Sequence, residues 1–216
     1  MIAERIALPG AEVELMRPPD AEALISEESF EHEEFLPYWA ELWASAVALA
    51  HDVSMRSLRG RRTLELGCGL GLPSIAAALA GGRVLATDWS PDAIEATAAN
   101  AERNGAPVET LRCSWADPEP LIERAPWQLV LASDVLYEAR NVDQLLELLP
   151  KLVDETGLVL LADPGRVPAE RFLKAAGDQG WRISSIASPR ARRVLIHRLR
   201  RAQAPGGARR AARPSA

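Results

Sequence analysis

An α/β fold with a largely parallel sheet is predicted by three observations. Short apolar runs alternate with longer helical patterns from residue 62 to residue 199, the order that strand–helix–strand units produce. The first apolar run ends in a cluster of glycines that opens a helix. The chain has 216 residues, 48% hydrophobic and 25% charged, ordinary values for one globular domain.

Each element has a local cause. Arg62–Leu66 (RTLEL) reads as a strand running into the glycines. Pro73–Ala80 reads as a helix, with Pro73 in the first turn, where its missing N–H costs nothing. Arg83–Thr87 (RVLAT) is the next strand. Pro91–Asn104 is a helix, capped by Ser90, opened by Pro91 and ended by Gly105. Val108–Arg112 and Gln128–Ala132 (QLVLA) are strands. Val142–Val153 is a helix whose last turn Pro150 is expected to bend. Gly157–Ala162 is a strand, Ala169–Gln179 a helix, and Trp181–Ile186 and Val194–Leu199 are two closing strands.

Composition excludes several classes. No apolar run reaches the roughly 18–20 residues of a membrane span. The N-terminus lacks the basic-then-apolar order of a secretory signal. Cys68 and Cys113 are too few for a disulfide framework or a four-ligand zinc site, and a reducing cytoplasm is the expected compartment. The net charge of -5 is unevenly spread. Glu27, Glu28, Glu31, Glu33 and Glu34 crowd the start, and Arg209, Arg210 and Arg213 lie in the Ala/Gly/Pro-rich end. Residues 1–35 are read as an acidic polar arm covering part of the domain, 36–202 as the domain, and 203–216 as a disordered basic tail. Glu31-His32-Glu33 has no second histidine at ligand spacing, so a solvated acidic face is expected there, and no metal.

Ligands of open α/β sheets bind beyond the carboxyl ends of the strands, so chemistry is sought at Gly67–Gly71, Asp88, Ser114–Trp115, Ser133–Asp134 and Asp163–Arg166. The run Glu65-Leu-Gly67-Cys-Gly69-Leu-Gly71 permits a tight turn and close approach of a ligand to the backbone. Its G-x-G-x-G spacing puts Leu72 where a dinucleotide fingerprint has its third glycine. Glu65 would repel a pyrophosphate but suits a ligand bearing an ammonium group. The alternative is a plain strand-to-helix turn. Asp88, after RVLAT, can accept hydrogen bonds from both hydroxyls of a ribose, or only start the turn before Ser90-Pro91. Tyr38, Trp39 and Trp43 share one apolar stretch ahead of these motifs. They read as core packing or as a lid whose indole faces a cation.

With these residues the chain resembles the seven-strand S-adenosylmethionine-dependent methyltransferases over roughly Leu36–Leu199. Leu36-Pro-Tyr-Trp-Ala-Glu-Leu-Trp43, Ser133-Asp134-Val-Leu-Tyr137 and Asp163-Pro-Gly-Arg166 are similar to segments of a narrower group. It is the protein lysine methyltransferases of the family that includes the electron-transfer-flavoprotein β-subunit enzyme. That branch tends to follow its Trp with Gly-Gly, whereas Trp43 is followed by Ala44-Ser45-Ala46. The resemblance implies a Rossmann-like, seven-stranded, mostly parallel sheet flanked by helices. It implies the strand order 3-2-1-4-5-7-6 with strand seven antiparallel. It implies S-adenosylmethionine as methyl donor and a protein lysine amine as acceptor.

Trp43, Glu65, Gly67, Gly69, Gly71, Asp88, Ser114, Trp115 and Ser133 are the expected donor-side residues. Trp115 either stacks on the adenine or is structural, with Ser114 and Trp115 giving backbone contacts. Asp134, at the end of the buried strand QLVLA, is costly unless paired or facing a cleft, so it is expected to orient an amine, either taking its proton or only positioning it. Tyr137 adds an aromatic wall or a hydroxyl. Asp163-Pro-Gly-Arg166 is either a turn or part of the acceptor side. A small-molecule acceptor on the same fold remains the first alternative. A non-catalytic donor-binding protein is another. Nucleic-acid binding through the basic tail is disfavoured by the acidic balance.

Overall fold

The computed structural model describes residues 1–21, 24 and 37–202. Most of the acidic stretch, Leu36 and the whole basic tail therefore lie outside the described residues. β1 (Ile2–Leu8) and β2 (Ala11–Arg17) form an antiparallel hairpin. A 3-10 turn at Tyr38–Ala40 leads into α1 (Ala44–Ser54). Then follow β3 (Arg62–Leu66), α2 (Leu72–Leu79), β4 (Arg83–Asp88), α3 (Pro91–Arg103) and β5 (Val108–Arg112). The short α4 (Glu119–Ile122) precedes β6 (Trp127–Ser133), α5 (Ala139–Leu152), β7 (Val153–Asp163) and α6 (Val167–Asp178). β8 (Trp181–Ala187) and β9 (Leu195–Arg201) close the sheet.

The seven-stranded sheet has the order β5-β4-β3-β6-β7-β9-β8. The five strands from β5 to β7 are parallel, and β9 is antiparallel to both neighbours. This is the expected order. The central strands are apolar along their length because both faces are covered. In β6, Leu129 and Leu131 face one core cluster and Val130 and Ala132 the other. In β7, Leu158 and Leu160 alternate with Val159 and Leu161 in the same way. The first cluster holds α1, α2 and the hairpin through Leu49, Val53, Ile75, Val13 and Leu15. The second holds α5 and α6 through Leu145, Leu149 and Phe172.

Ser90 caps α3 as expected, its hydroxyl oxygen accepting from the Ala93 N–H. α5 starts three residues earlier than expected and carries Pro150 inside its last turn. The loss there is small, because few intrahelical bonds remain beyond it to be broken.

The hairpin and α1 were not anticipated in the sequence. The hairpin is fastened to α3 by two asparagines. Asn104 accepts from the Glu14 N–H at 2.9 Å and donates to the Glu14 carbonyl at 2.8 Å. Asn100 accepts from the Met16 N–H at 2.8 Å and donates to the Met16 carbonyl at 3.2 Å. The Asn100 amide also donates to the Leu70 carbonyl at 3.1 Å, which ties the hairpin to the glycine turn. Asn100 is buried, and Asn100→Ala removes its hydrogen bonds to the buried Leu70 carbonyl and to the half-buried Met16 N–H and carbonyl. A loss of roughly 1–3 kcal/mol in stability is expected, measured by chemical denaturation against the wild type.

Candidate active site

The glycine turn joins β3 to α2 and is held from three sides. The Cys68 N–H donates to the Thr87 carbonyl at 3.0 Å, and the Gly69 N–H donates to Asp88 Oδ2 at 3.0 Å. Thr97, on α3, donates its hydroxyl to the Gly69 carbonyl at 2.9 Å. Gly71 has φ +83°, and a Cβ there would lie 2.8 Å from the Thr97 side chain. A Cβ on Gly67, at φ +69°, would lie 2.9 Å from Val135. A Cβ on Gly69 would lie 3.3 Å from the Trp39 carbonyl oxygen. The sequence expectation was that these glycines admit a ligand. In the fold each also admits another part of the chain: α3, the segment after β6, and the turn ahead of α1.

Glu65 sits beneath this turn and is fully buried. Its Oε2 accepts from the Ser74 hydroxyl at 2.5 Å, and its Oε1 is buried without a hydrogen-bond partner. Burial pushes its carboxyl up to about 8, against the opposing hydrogen bonds from Ser74. It lies behind the cleft wall rather than on it, unlike Asp88 and Asp134.

The cleft at the carboxyl end of the sheet has a volume of about 560 Å³. Gly67, Gly69 and Gly71 line its middle. Asp88, Ser114 and Trp115 line the side beyond β4 and β5, and Ser133, Asp134 and Tyr137 the side beyond β6. The Tyr38–Trp43 segment covers it, with Trp43 on the wall. The sequence candidates other than Glu65 and the Asp163–Arg166 segment are thus brought to one cavity. They straddle β3 and β6, the point where the chain reverses its direction of travel across the sheet.

Asp88 is 8% exposed. Burial pushes its carboxyl up, and N–H groups of Ser90, Gly69 and Trp89 oppose this. Trp115 is half-buried and packs on the second core cluster. Trp43 donates its indole N–H to the Tyr38 carbonyl at 2.8 Å. The Tyr38 ring lies 6.4 Å from Trp43 and 5.3 Å from Tyr137, centroid to centroid, so three neighbouring rings line the cleft. Burial, chiefly, pushes the Tyr137 phenol up to about 12, so it stays protonated and able to donate.

Asp134 is buried with φ +59°, a conformation non-glycine residues rarely hold. Its N–H donates to the Ala162 carbonyl at 2.9 Å, and Asn141 donates to the Val135 carbonyl at 2.8 Å. Its Oδ1 accepts from Arg166 Nη1. The sequence named Arg166 within Asp163-Pro-Gly-Arg166 but carried no sign of this pairing, which spans 32 residues. Thr97 and Asn100, which brace the glycine turn, were missed altogether. Their only signal is a polar stripe on an otherwise ordinary helix.

Comparison with known proteins fits this geometry. The lysine methyltransferase family model matches residues 32–177. The match covers more than half of the chain, and the chain belongs to this family. It is 38% identical over 136 residues to the electron transfer flavoprotein beta subunit lysine methyltransferase of Xenopus laevis, covering 60% of this chain and 53% of that protein. It is 34% identical over 142 residues to protein N-lysine methyltransferase METTL21A of Danio rerio, covering 62% and 65%. The chain thus spans about half the length of the frog protein. Among solved structures, the T. Thermophilus 16S rRNA N2 G1207 methyltransferase RsmC superposes with a TM-score of 0.68 at 15% identity, covering 93% of this chain and 50% of that one. That likeness is one of fold.

The buried acid gives a pH signature. With its folded pKa raised, Glu65 contributes its stability in full below the ordinary carboxyl range and loses it as pH rises towards about 8. Glu65→Gln cannot ionise. Between about pH 5 and pH 8 the stability gap should move in the variant's favour by roughly 1.4 kcal/mol per pH unit. Denaturant titrations of both proteins across that range measure it.

Proposed function

We propose that this chain, as a member of the lysine methyltransferase family, transfers a methyl group from S-adenosylmethionine to the amine of a protein lysine. The observation that carries the reading is one cavity holding the glycine turn and Asp88 on one side and Asp134 with three exposed-edge aromatic rings on the other. The residues fit the donor. Asp88 faces the cleft at a strand end and still has lone pairs for ribose hydroxyls. Ser114 and Trp115 lie where the base would follow, and the Gly67–Gly71 turn with Ser133 would take the amino-acid end. Glu65 supports that turn from below through Ser74. Trp43 presents an aromatic face, which attracts a diffuse cation by about 0.5–2 kcal/mol.

When bound, the donor's sulfonium supplies an electrophilic methyl carbon, so no further chemical activation is required of the protein. The chain's own residues align and exclude water. Asp134 draws and orients the incoming amine, Tyr137 walls it and offers a hydroxyl, and the Tyr38–Trp43 segment covers the reacting centre. A free lysine has a pKa near 10.4, so the amine must shed its proton before attack. Tyr38, Trp43 and Tyr137 are 41%, 37% and 40% exposed. An accessible aromatic rim supports a side chain reaching in from a larger molecule over a small molecule closed inside. The activity is assigned to residues 36–202, acting in the cytoplasm. Among the described residues no helix is long and apolar enough to cross a membrane.

Incubating host lysate with this protein and radiolabelled donor should label a protein band at lysine. Label on arginine or only on small molecules overturns the acceptor class. Asp88→Ala should weaken binding of the demethylated donor product by about 5- to 150-fold, the loss of charge-assisted hydrogen bonds. Calorimetry measures it, and an unchanged affinity removes Asp88 from the donor site.

A further inference from the structure

We propose that Arg166 is a positioning residue. It occupies one oxygen of Asp134 and leaves the other for the incoming amine, so Asp134 works as a fixed anion and not as the base. This rests on the methyltransferase reading above and goes beyond it.

The geometry is built from the backbone outward. Asp163 ends β7 with its side chain fully buried. Its Oδ1 accepts from the Gly165 N–H at 2.7 Å and from the Arg166 N–H at 2.8 Å. Gly165, at φ +88°, turns the chain back so that both N–H groups reach that oxygen. The turn aims the Arg166 side chain across to β6. There Nη1 meets Asp134 Oδ1 and lies 3.5 Å from Asp163 Oδ2. The guanidinium carbon is 6.0 Å from the centre of the Trp43 ring. One side chain therefore joins the covering segment, the Asp134 segment and the turn after β7. Arg166 is not itself on the cleft wall, whereas Asp134 is, so the arginine acts from behind.

The chemistry follows from the pairing. Asp134 is 7% exposed and Arg166 28%, so solvent screens their attraction less than it would a surface pair. A guanidinium stays charged at any working pH, and here its Nη1 holds Asp134 by Oδ1. Its partner is held in the ionised, acceptor-only form. Such a carboxylate still binds an amine N–H but is a poor proton acceptor. The amine's proton leaves to solvent water before attack. Its lone pair then forms the N–C bond as the C–S bond breaks, with that pair staying on sulfur. The titratable and charged groups around this centre are Asp134, Asp163, Arg166, Tyr38, Tyr137 and Arg140, with the Trp43 ring beside Arg166 and His197 of β9 interacting with Asp163. When both acids are ionised, two carboxylates meet one guanidinium, leaving a negative surplus that favours a cationic acceptor.

The test compares Arg166→Met, Arg166→Lys, Asp134→Asn and the double variant Asp134→Asn/Arg166→Met. The first readout needs neither donor nor acceptor. In protein labelled with ¹³C at aspartate carboxyls, the signal missing from Asp134→Asn is followed through a pH titration. Its midpoint should move up in Arg166→Met and stay near the wild type in Arg166→Lys. The second is single-turnover methylation beside calorimetry of the donor product. Arg166→Met should lose at least tenfold in rate with donor affinity within about twofold. Arg166→Lys should recover most of that rate, and the double variant should be no slower than Asp134→Asn alone. An unmoved Asp134 titration in Arg166→Met, or losses that multiply in the double variant, overturns the proposal. Failure of the wild type to bind the donor product overturns the methyltransferase reading instead and leaves the titration result standing on its own.

Discussion

The parallel pairing of β3 with both neighbours sets everything at the active site. Leu66 is level with Thr87 on one side and with Ala132 on the other. The next residues therefore leave the sheet at one height: Gly67 in the middle, Asp88 to one side, Ser133 and Asp134 to the other. Strands lie about 4.8 Å apart, so the two acids are brought to within roughly 10 Å across the glycine turn. A one-residue slip of either pairing would send an acid to the opposite face.

Four acids gather around this centre, and each is kept by a different means. Glu65 is buried with a single hydroxyl partner and holds its proton near neutrality. Asp88 is met by backbone N–H groups. Asp163 is spent on the turn that follows it. Asp134 has the guanidinium of Arg166 directly against it, and the same nitrogen reaches Asp163 only at 3.5 Å. Four neighbouring negative charges with no such differences would repel one another and unfold the cleft. Their separation into a neutral acid, a backbone-bound acid, a turn-forming acid and an ion-paired acid lets them coexist.

The sheet and the strand-end candidates were legible because both are local. The apolar run QLVLA defines β6 to within a residue at each end, and Ser90-Pro91 defines the start of α3. What stayed illegible depends on distant partners. α1 buries Ser45 and Asp52, which hides its apolar stripe. Asp52 is tolerated because Arg56 and the remote Arg198 pair with it. The hairpin alternates correctly, with Ile6, Leu8, Val13 and Leu15 buried and Gly10 at its turn. Its charged alternate positions made it look like an exposed arm. The reach of Arg166 to Asp134 depends on Gly165 turning the chain, and no spacing rule encodes that. Glu65 was legible as an acid beside the glycines, but its depth was not.

The two asparagines of α3 have a consequence for how the molecule behaves in a crowd. Four residues along a helix advance about 6 Å, and two residues along a strand advance about 6.6 Å. Asn100 and Asn104 can therefore meet Met16 and Glu14 in step, each side-chain amide imitating the peptide group of an adjoining strand. β2 would otherwise present an open row of donors and acceptors, a template on which foreign chains assemble into fibres. Side chains of Asn104 and Asn100 close that row at Glu14 and Met16. On the far edge, β1 carries Glu4 and Arg5, whose charges are bound to Arg17 and Glu14 across the hairpin. A two-stranded ribbon too small to be stable alone is thereby kept from recruiting a third strand from another molecule.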